Sequence, residues 1–349
     1  MKERIASLDL VRSLAIVFVV ITHVSELCYG ALSVEFMTSA LLRTQLCAIV
    51  LHTIGRLGVP LFLFLSGYLL LDRSYSTEET LAFWKRTLPG MILSTEIWVL
   101  LYYLARCFNG ISFDLGNLLL QMLFLMPAQT SHLWYMPAII SLYLFLPFIS
   151  NILKSCQSKA FFIPLGIIAA YLFIPPCINV ILSATGQPLL SSGLNLSFSG
   201  GIYGLLMILG WCVKKGYFNR INSFVCGLVG LSFFALTLLI QVFGYANGVM
   251  PNVWYDFGTL VIAALSLFIL IVRIKDIPFA KAFTFISKSS FAVYLCHNFV
   301  LDRLVEVMPI TWGTTGFLLL FITTVAISWA LVGLISQSKT LRTILFNMK

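Results

Sequence analysis

Residues 8–23 read LDLVRSLAIVFVVITH, and the order of residue types in this stretch decides the fold class. Continued to Tyr29, it is long and apolar enough for a helix that crosses a hydrocarbon core of about 30 Å, which takes close to 20 residues. It nevertheless holds Asp9, Arg12 and His23, with Glu26 one turn further on. A cleaved leader carries no such charges in its apolar centre and ends on small residues, so this segment reads as a retained helix. The rest of the chain follows the same theme. Of 349 residues, 60% are hydrophobic and 10% charged, and the mean hydropathy is +0.98. A soluble chain carries about 25% charged residues; this one has too few to cover its apolar surface in water. A disordered chain would lack the phenylalanine, leucine and isoleucine found here. The expected fold is therefore all-α, a polytopic membrane protein.

Working outward from the first segment, ten runs are expected to be transmembrane helices: 8–29, 46–71, 87–105, 133–153, 160–182, 199–213, 221–243, 255–273, 286–305 and 313–336. The fifth contains Pro175-Pro176 and the sixth is short and rich in glycine (Gly200, Gly201, Gly204, Gly210), so both are expected to be broken or tilted. Segment 115–128 is too short to span and reads as an interfacial or re-entrant helix. Basic residues then set the orientation. Lys2, Arg4, Arg73, Lys85, Arg86, Lys154, Lys159, Lys214, Lys215, Arg220, Arg273, Lys275, Lys281, Lys288, Lys339, Arg342 and Lys349 fall at the termini and alternate loops; only Arg43 and Arg106 fall in the opposite loops. Such asymmetry puts both termini in the cytoplasm, N-in and C-in. The net charge of +9 is thus an orientation signal, and no nucleic acid is expected as a partner. Residues 1–349 read as a single integral-membrane domain. The eight cysteines stand singly, with no C-x-x-C pair, so no metal site is expected. Cys28 and Cys47, near the outer ends of the first two helices, are close enough in the topology to form a disulfide in an oxidising compartment.

Ionisable groups at membrane depth cost about 2.5–3.5 kcal/mol each on insertion scales, which makes them functional candidates. Arg12 and His23 are 11 residues apart. At 100° per residue they fall within about 20° of one another, on one helix face, separated by about 16 Å along the axis. Asp9 and Glu26 extend the same stripe by i, i+3 steps. Arg12 has a second reading, a side chain snorkelling to the headgroups, and His23 has one as a structural histidine bonding a neighbouring helix. In the second helix His52 and Arg56 form an i, i+4 pair, and Gly58, Pro60, Ser66 and Gly67 describe a helix that packs closely on a partner. Glu96 lies inside the third helix, whose entrance carries Lys85 and Arg86. With Arg12 these are candidates for holding a phosphate-bearing donor. His132-Leu133-Trp134-Tyr135 opens the fourth helix, where an interfacial aromatic belt would also place Trp134. In the ninth, Ser290, Tyr294 and His297 share a face.

These segments together resemble the acyltransferase-3 family of integral-membrane O-acyltransferases. The resemblance rests on LDLVRSLAIVFVVITH, VPLFLFLSGYLL (59–70), FWKRTLP (83–89), HLWYMPAIISLYLFLPFI (132–149) and SSFAVYLCH (289–297), in that order over nearly the whole chain. The chain is most similar to short members without an appended hydrolase-like domain, such as those acting on enterobacterial surface polysaccharides. What the resemblance implies is O-acetyl transfer in a bacterial inner membrane. Acetyl-CoA would be the co-substrate, with no permanently bound cofactor, and the acceptor a glycan or its lipid-linked precursor. It puts Arg12 and His23 at the family's two signature positions. Many members carry two arginines three apart at the start of the third helix, whereas this chain has Lys85-Arg86 followed by Thr87, Leu88 and Pro89. From chemistry, His23 is the candidate base or acyl relay and Arg12 the group facing the donor. Arg86, Lys85, Glu96, Trp134, Tyr294, His297, Arg56 and His52 are the further donor- or substrate-binding candidates. The rival class is a proton-coupled transporter or flippase, which intramembrane histidines, arginines and acids also suit.

Overall fold

The computed structural model describes residues 5–128, 130–155, 162–190, 201–308 and 313–348. In chain order its helices are α1 (Ala6–Cys28), α2 (Val34–Ser39), α3 (Leu42–Arg56), α4 (Gly58–Leu70), α5 (Thr77–Phe108), α6 (Leu115–Met122), α7 (Tyr135–Ser155) and α8 (Phe162–Ala184). They continue as α9 (Gly201–Lys214), α10 (Ser223–Ala246), α11 (Gly258–Val272), α12 (Ala280–Val307), α13 (Thr314–Ile335) and α14 (Lys339–Phe346). No strand occurs among the described residues.

Among the described residues, each of the ten expected segments contains a helix. Seven stretches among the described residues are long and apolar enough to cross a membrane: α1, α3 with α4 in series, α5, α7 with the turn before it, α8, α10 and α13. α9 and α11 are apolar but shorter. α12 is long, but Lys288, His297, Asn298 and three serines interrupt its apolar centre.

Several expectations need correction. α5 begins at Thr77, ten residues before the expected start, because Ser76 and Glu79 form a reciprocal cap. The Ser76 hydroxyl accepts from the Glu79 N–H at 3.2 Å and the Glu79 carboxylate accepts from the Ser76 N–H at 2.9 Å. Lys85 and Arg86 therefore sit inside a helix rather than in a loop. α8 runs through Pro175 and Pro176 without a break, and α9 is continuous; apolar helices tolerate proline where other groups satisfy the freed carbonyls. The second segment, by contrast, is two helices joined at Leu57. Pro60 has no N–H to give the Arg56 carbonyl four residues back, so the ladder is interrupted there. Within 115–128 the helix is only α6, started by the Asp114 side chain, which accepts from the Asn117 N–H at 3.1 Å. α14 was not expected at all.

Two compact units are described. The first comprises residues 1–73, 149–288 and 310–321 and the second 74–148, 289–309 and 322–349. In the first, α1 packs on α3 and α4, α4 on α9, and α10 on α11. The close packing expected of Gly67 is realised against α9. A Cβ on Gly67 would fall inside the Met207 carbonyl, and one on Gly210 inside the Phe64 carbonyl, so each helix supplies the glycine that the other's backbone requires. All described cysteines are free, Cys28 and Cys47 included, and Cys156 lies outside the described residues. In the second unit α14 docks on α5. The Ser94 hydroxyl donates to the Ile344 carbonyl at 3.0 Å, the Trp98 indole to the Leu345 carbonyl at 2.9 Å, and Phe346 stacks on Trp98.

Candidate active site

The polar stripe on α1 is two separate stations rather than one seam. Near the helix start, the buried Asp9 carboxylate accepts from the Thr284 hydroxyl at 2.9 Å and from the Ser287 hydroxyl at 2.8 Å. Arg12 donates to the same Ser287 oxygen at 3.4 Å, and Ser13 donates to the Phe283 carbonyl at 2.9 Å. These partners all belong to the first turns of α12. The spacing of Thr284 and Ser287 by three residues lets one carboxylate meet both hydroxyls. Beyond this station α1 buries Ala15, Ile16, Val19 and Val20, so the polar groups are interrupted by two turns of close-packed apolar core.

The second station surrounds His23. Gly55 brings α3 against α1 at this level, since a Cβ there would meet the Thr22 backbone. The Glu26 carboxylate then has two partners, His23 Nδ1 at 3.0 Å and Arg56 Nη2 at 3.0 Å, one on each oxygen. A carboxylate only accepts, so His23 Nδ1 carries the proton and the lone pair of the neutral ring is on Nε2. Glu26 thus fixes the tautomer that a general base needs, as the acid does in other acid–histidine pairs.

Arg56 is held on every side. Its Nε donates to His52 Nε2 at 3.0 Å and its Nη1 to the Tyr255 hydroxyl at 3.3 Å. Its Cζ lies 4.7 Å from the centre of the Trp254 ring and 5.5 Å from that of Tyr255. His52 accepts at Nε2, so its own proton is on Nδ1, 3.4 Å from the Ser25 hydroxyl oxygen. Its lone pair is already committed to Arg56. His52 and Arg56, both substrate-binding candidates from sequence, are thus bonded to one another, with Arg56 also on Glu26, and both face the cavity that adjoins them. Above them is a cavity of about 210 Å³, lined by Glu26, His52, Arg56, Gln241 and the segment Met250–Val253.

Tyr294 and His297 belong to the second unit and meet His132 there. The Tyr294 hydroxyl donates to the His132 carbonyl at 2.6 Å, and the two imidazole rings lie 5.0 Å apart, edge to face. The Asn298 amide donates to His132 Nδ1 at 3.0 Å, so the Thr130 hydroxyl 2.8 Å from that nitrogen donates as well. His297 Nδ1 faces the Val293 and Tyr294 carbonyls at 3.0 and 2.8 Å and must donate. Both rings are fully enclosed, His132 at 1% and His297 at 0% exposure, whereas the His23 side chain is 15% exposed. Also in the second unit, Lys85 and Arg86 are exposed on α5. Neither Glu96 carboxylate oxygen has a hydrogen-bond partner among the described residues. Trp134 lines a largely apolar cavity of about 340 Å³ with Thr95, Val99 and Gln121.

The His23–Glu26 pair is readable from its i, i+3 spacing, although the sequence alone leaves Glu26 as one more member of the stripe. His132, Tyr255 and Gln241 carry no local signal; only packing brings them to their partners. Compared with known families, the chain matches the Acyl_transf_3 family model, described as an acyltransferase domain, over residues 5–333. Neither the curated proteins nor the solved structures contain a match to it.

Proposed function

This chain belongs to the acyltransferase-3 family, and from that premise we propose that it moves an acetyl group from acetyl-CoA to a hydroxyl of a cell-envelope glycan or its lipid-linked precursor, with His23 as the base. The observation that carries this reading is the Glu26 carboxylate on His23 Nδ1. In the proposed step Nε2 takes the proton of the acceptor O–H while that oxygen attacks the thioester carbonyl. Collapse of the tetrahedral intermediate breaks the C–S bond, and the departing sulfur takes the proton from Nε2, leaving the O-acetyl ester and CoA–SH. Arg12, about 16 Å along the helix from His23, serves the phosphates of an extended donor that enters from the cytoplasmic end. The asymmetry of the basic residues supports a cytoplasmic position for that end of α1, in the reading that the membrane is a bacterial inner membrane.

Mass spectrometry of surface polysaccharide from cells with and without the protein tests the reading. One acetyl per repeat unit, present only with the protein, is expected; accumulation of an unexported intermediate at unchanged acetylation would establish a flippase instead. A second expectation concerns Glu26. Glu26→Gln keeps the volume and one acceptor oxygen but loses the charge shared by His23 and Arg56. It should lower kcat at least about 10²-fold while leaving the KM for acetyl-CoA unchanged, a split that general loosening of the fold would not produce.

A further inference from the structure

The cavity above the second station has no role in the step just described, and its walls are specific. Its floor is the Glu26–Arg56 ion pair, neutral as a unit, with three of the guanidinium N–H groups bonded to His52, Tyr255 and Glu26. Gln241 is 1% exposed. Its amide nitrogen is committed to the Thr53 hydroxyl at 2.8 Å and the Thr237 carbonyl at 3.2 Å, which turns its carbonyl oxygen to the ligand side. Asn252 adds an exposed amide at the rim, and Met250, Pro251 and Val253 supply apolar wall. Acceptors therefore outnumber uncommitted cations.

The surroundings agree. The segments flanking the cavity, 29–42 and 246–257, contain no lysine or arginine, Arg43 being the nearest in sequence. α10 and α11 carry Arg220 and Arg273 at their other ends, where Arg273 donates to the Phe218 carbonyl at 2.8 Å. Phosphate and carboxylate are attracted to that far end and find at this one only Arg56, whose charge Glu26 already balances. Hydroxyl hydrogens, in contrast, find a carboxylate and two amide carbonyls.

We propose that this cavity seats an uncharged polyhydroxylated ring, the neutral sugar of the acceptor, against Glu26, the partner of His23. The identification of the ligand as the acceptor rests on the acetyl-transfer reading above; the preference for an uncharged ring rests on the cavity itself. An acidic sugar would bring its charge against Glu26, and the nucleotide end of CoA would enter a cation-poor mouth, so both are excluded.

The test uses the full chain in lipid nanodiscs with Ala31→Cys, an exposed residue of the cavity wall with no part in the polar recognition, and follows labelling of the introduced thiol by an uncharged maleimide, resolved by site with mass spectrometry. Probes are methyl glycosides of glucose, galactose, mannose and rhamnose, the matching methyl uronides, and CoA. At about ten times its Kd, one or more of the neutral glycosides should slow labelling about tenfold, and the matching uronide and CoA should not. Adding Gln241→Leu should weaken that protection by about tenfold. Absence of protection by every neutral glycoside, equal protection by a uronide, or protection by CoA would each overturn the assignment. Protection in a protein that transfers no acetyl would leave the sugar site standing and defeat the acyltransferase reading; transfer without protection would do the reverse.

Discussion

Replacing His23 with alanine is expected to lower acetyl transfer by about 10²–10⁴-fold, the usual contribution of a positioned general base, in protein that still folds and inserts. The ring is partly exposed and bonded to a residue of its own helix, so its removal leaves no cavity of consequence in the core. His23→Gln makes the comparison stricter. Its amide can still donate to Glu26, and Arg56 keeps its partner, yet an amide has no basic lone pair with which to take a hydroxyl proton. Both variants should be inactive at normal expression. The measurement is acetyl incorporated into glycan per folded protein, with monodispersity in detergent as the measure of folding. Acetylation retained by either variant would remove His23 from the chemistry. Comparable variants at His297 or His132 act differently: these rings are enclosed and bonded within their own unit, so loss of folded protein is the expected effect there.

The second large effect is on stability. Gly67→Leu or Gly210→Leu should cost about 3 kcal/mol or more, the upper part of the overpacking range, against a total stability of about 5–15 kcal/mol. In both places the obstacle is a carbonyl of the facing helix, Met207 or Phe64, not the end of a flexible side chain. α4 and α9 would have to separate, and α4 also packs on α1 and α11. Gly333→Ala is the control. A Cβ there meets nothing among the described residues, and its effect should stay within about 1 kcal/mol. Midpoints of thermal aggregation in one detergent distinguish the cases; a Gly67→Leu protein as stable as Gly333→Ala would contradict the close contact.

Much of this was legible in the residues. Apolar runs of sufficient length predict helices because the backbone must satisfy its own hydrogen bonds in hydrocarbon, and among the described residues each of the ten runs contains one. The starts were read less well. Ser76 and Glu79 form a legible cap that hydropathy alone passes over, and Pro175-Pro176, a break signal in water, is carried within a continuous helix. α14 was missed because Lys339 and Arg342 were accounted for as orientation, while the interaction that holds the helix, Trp98 against Phe346, is 248 residues distant in sequence.

The same division runs through the site. Arg12, His23 and Glu26 share a helix face whatever surrounds them, because 3.6 residues per turn aligns positions 11 and 3 apart. That is local geometry, and the sequence alone specifies it. Periodicity carries no information on which residue from another helix arrives at that face. Tertiary packing divided the stripe into two stations, gave Asp9 the hydroxyls of α12 and gave Glu26 the guanidinium of Arg56. Each of these outcomes depends on a long-range approach of helices, at Gly55 most directly. A hydrogen bond is selected over about 3 Å, and only the folded chain brings groups distant in sequence that close.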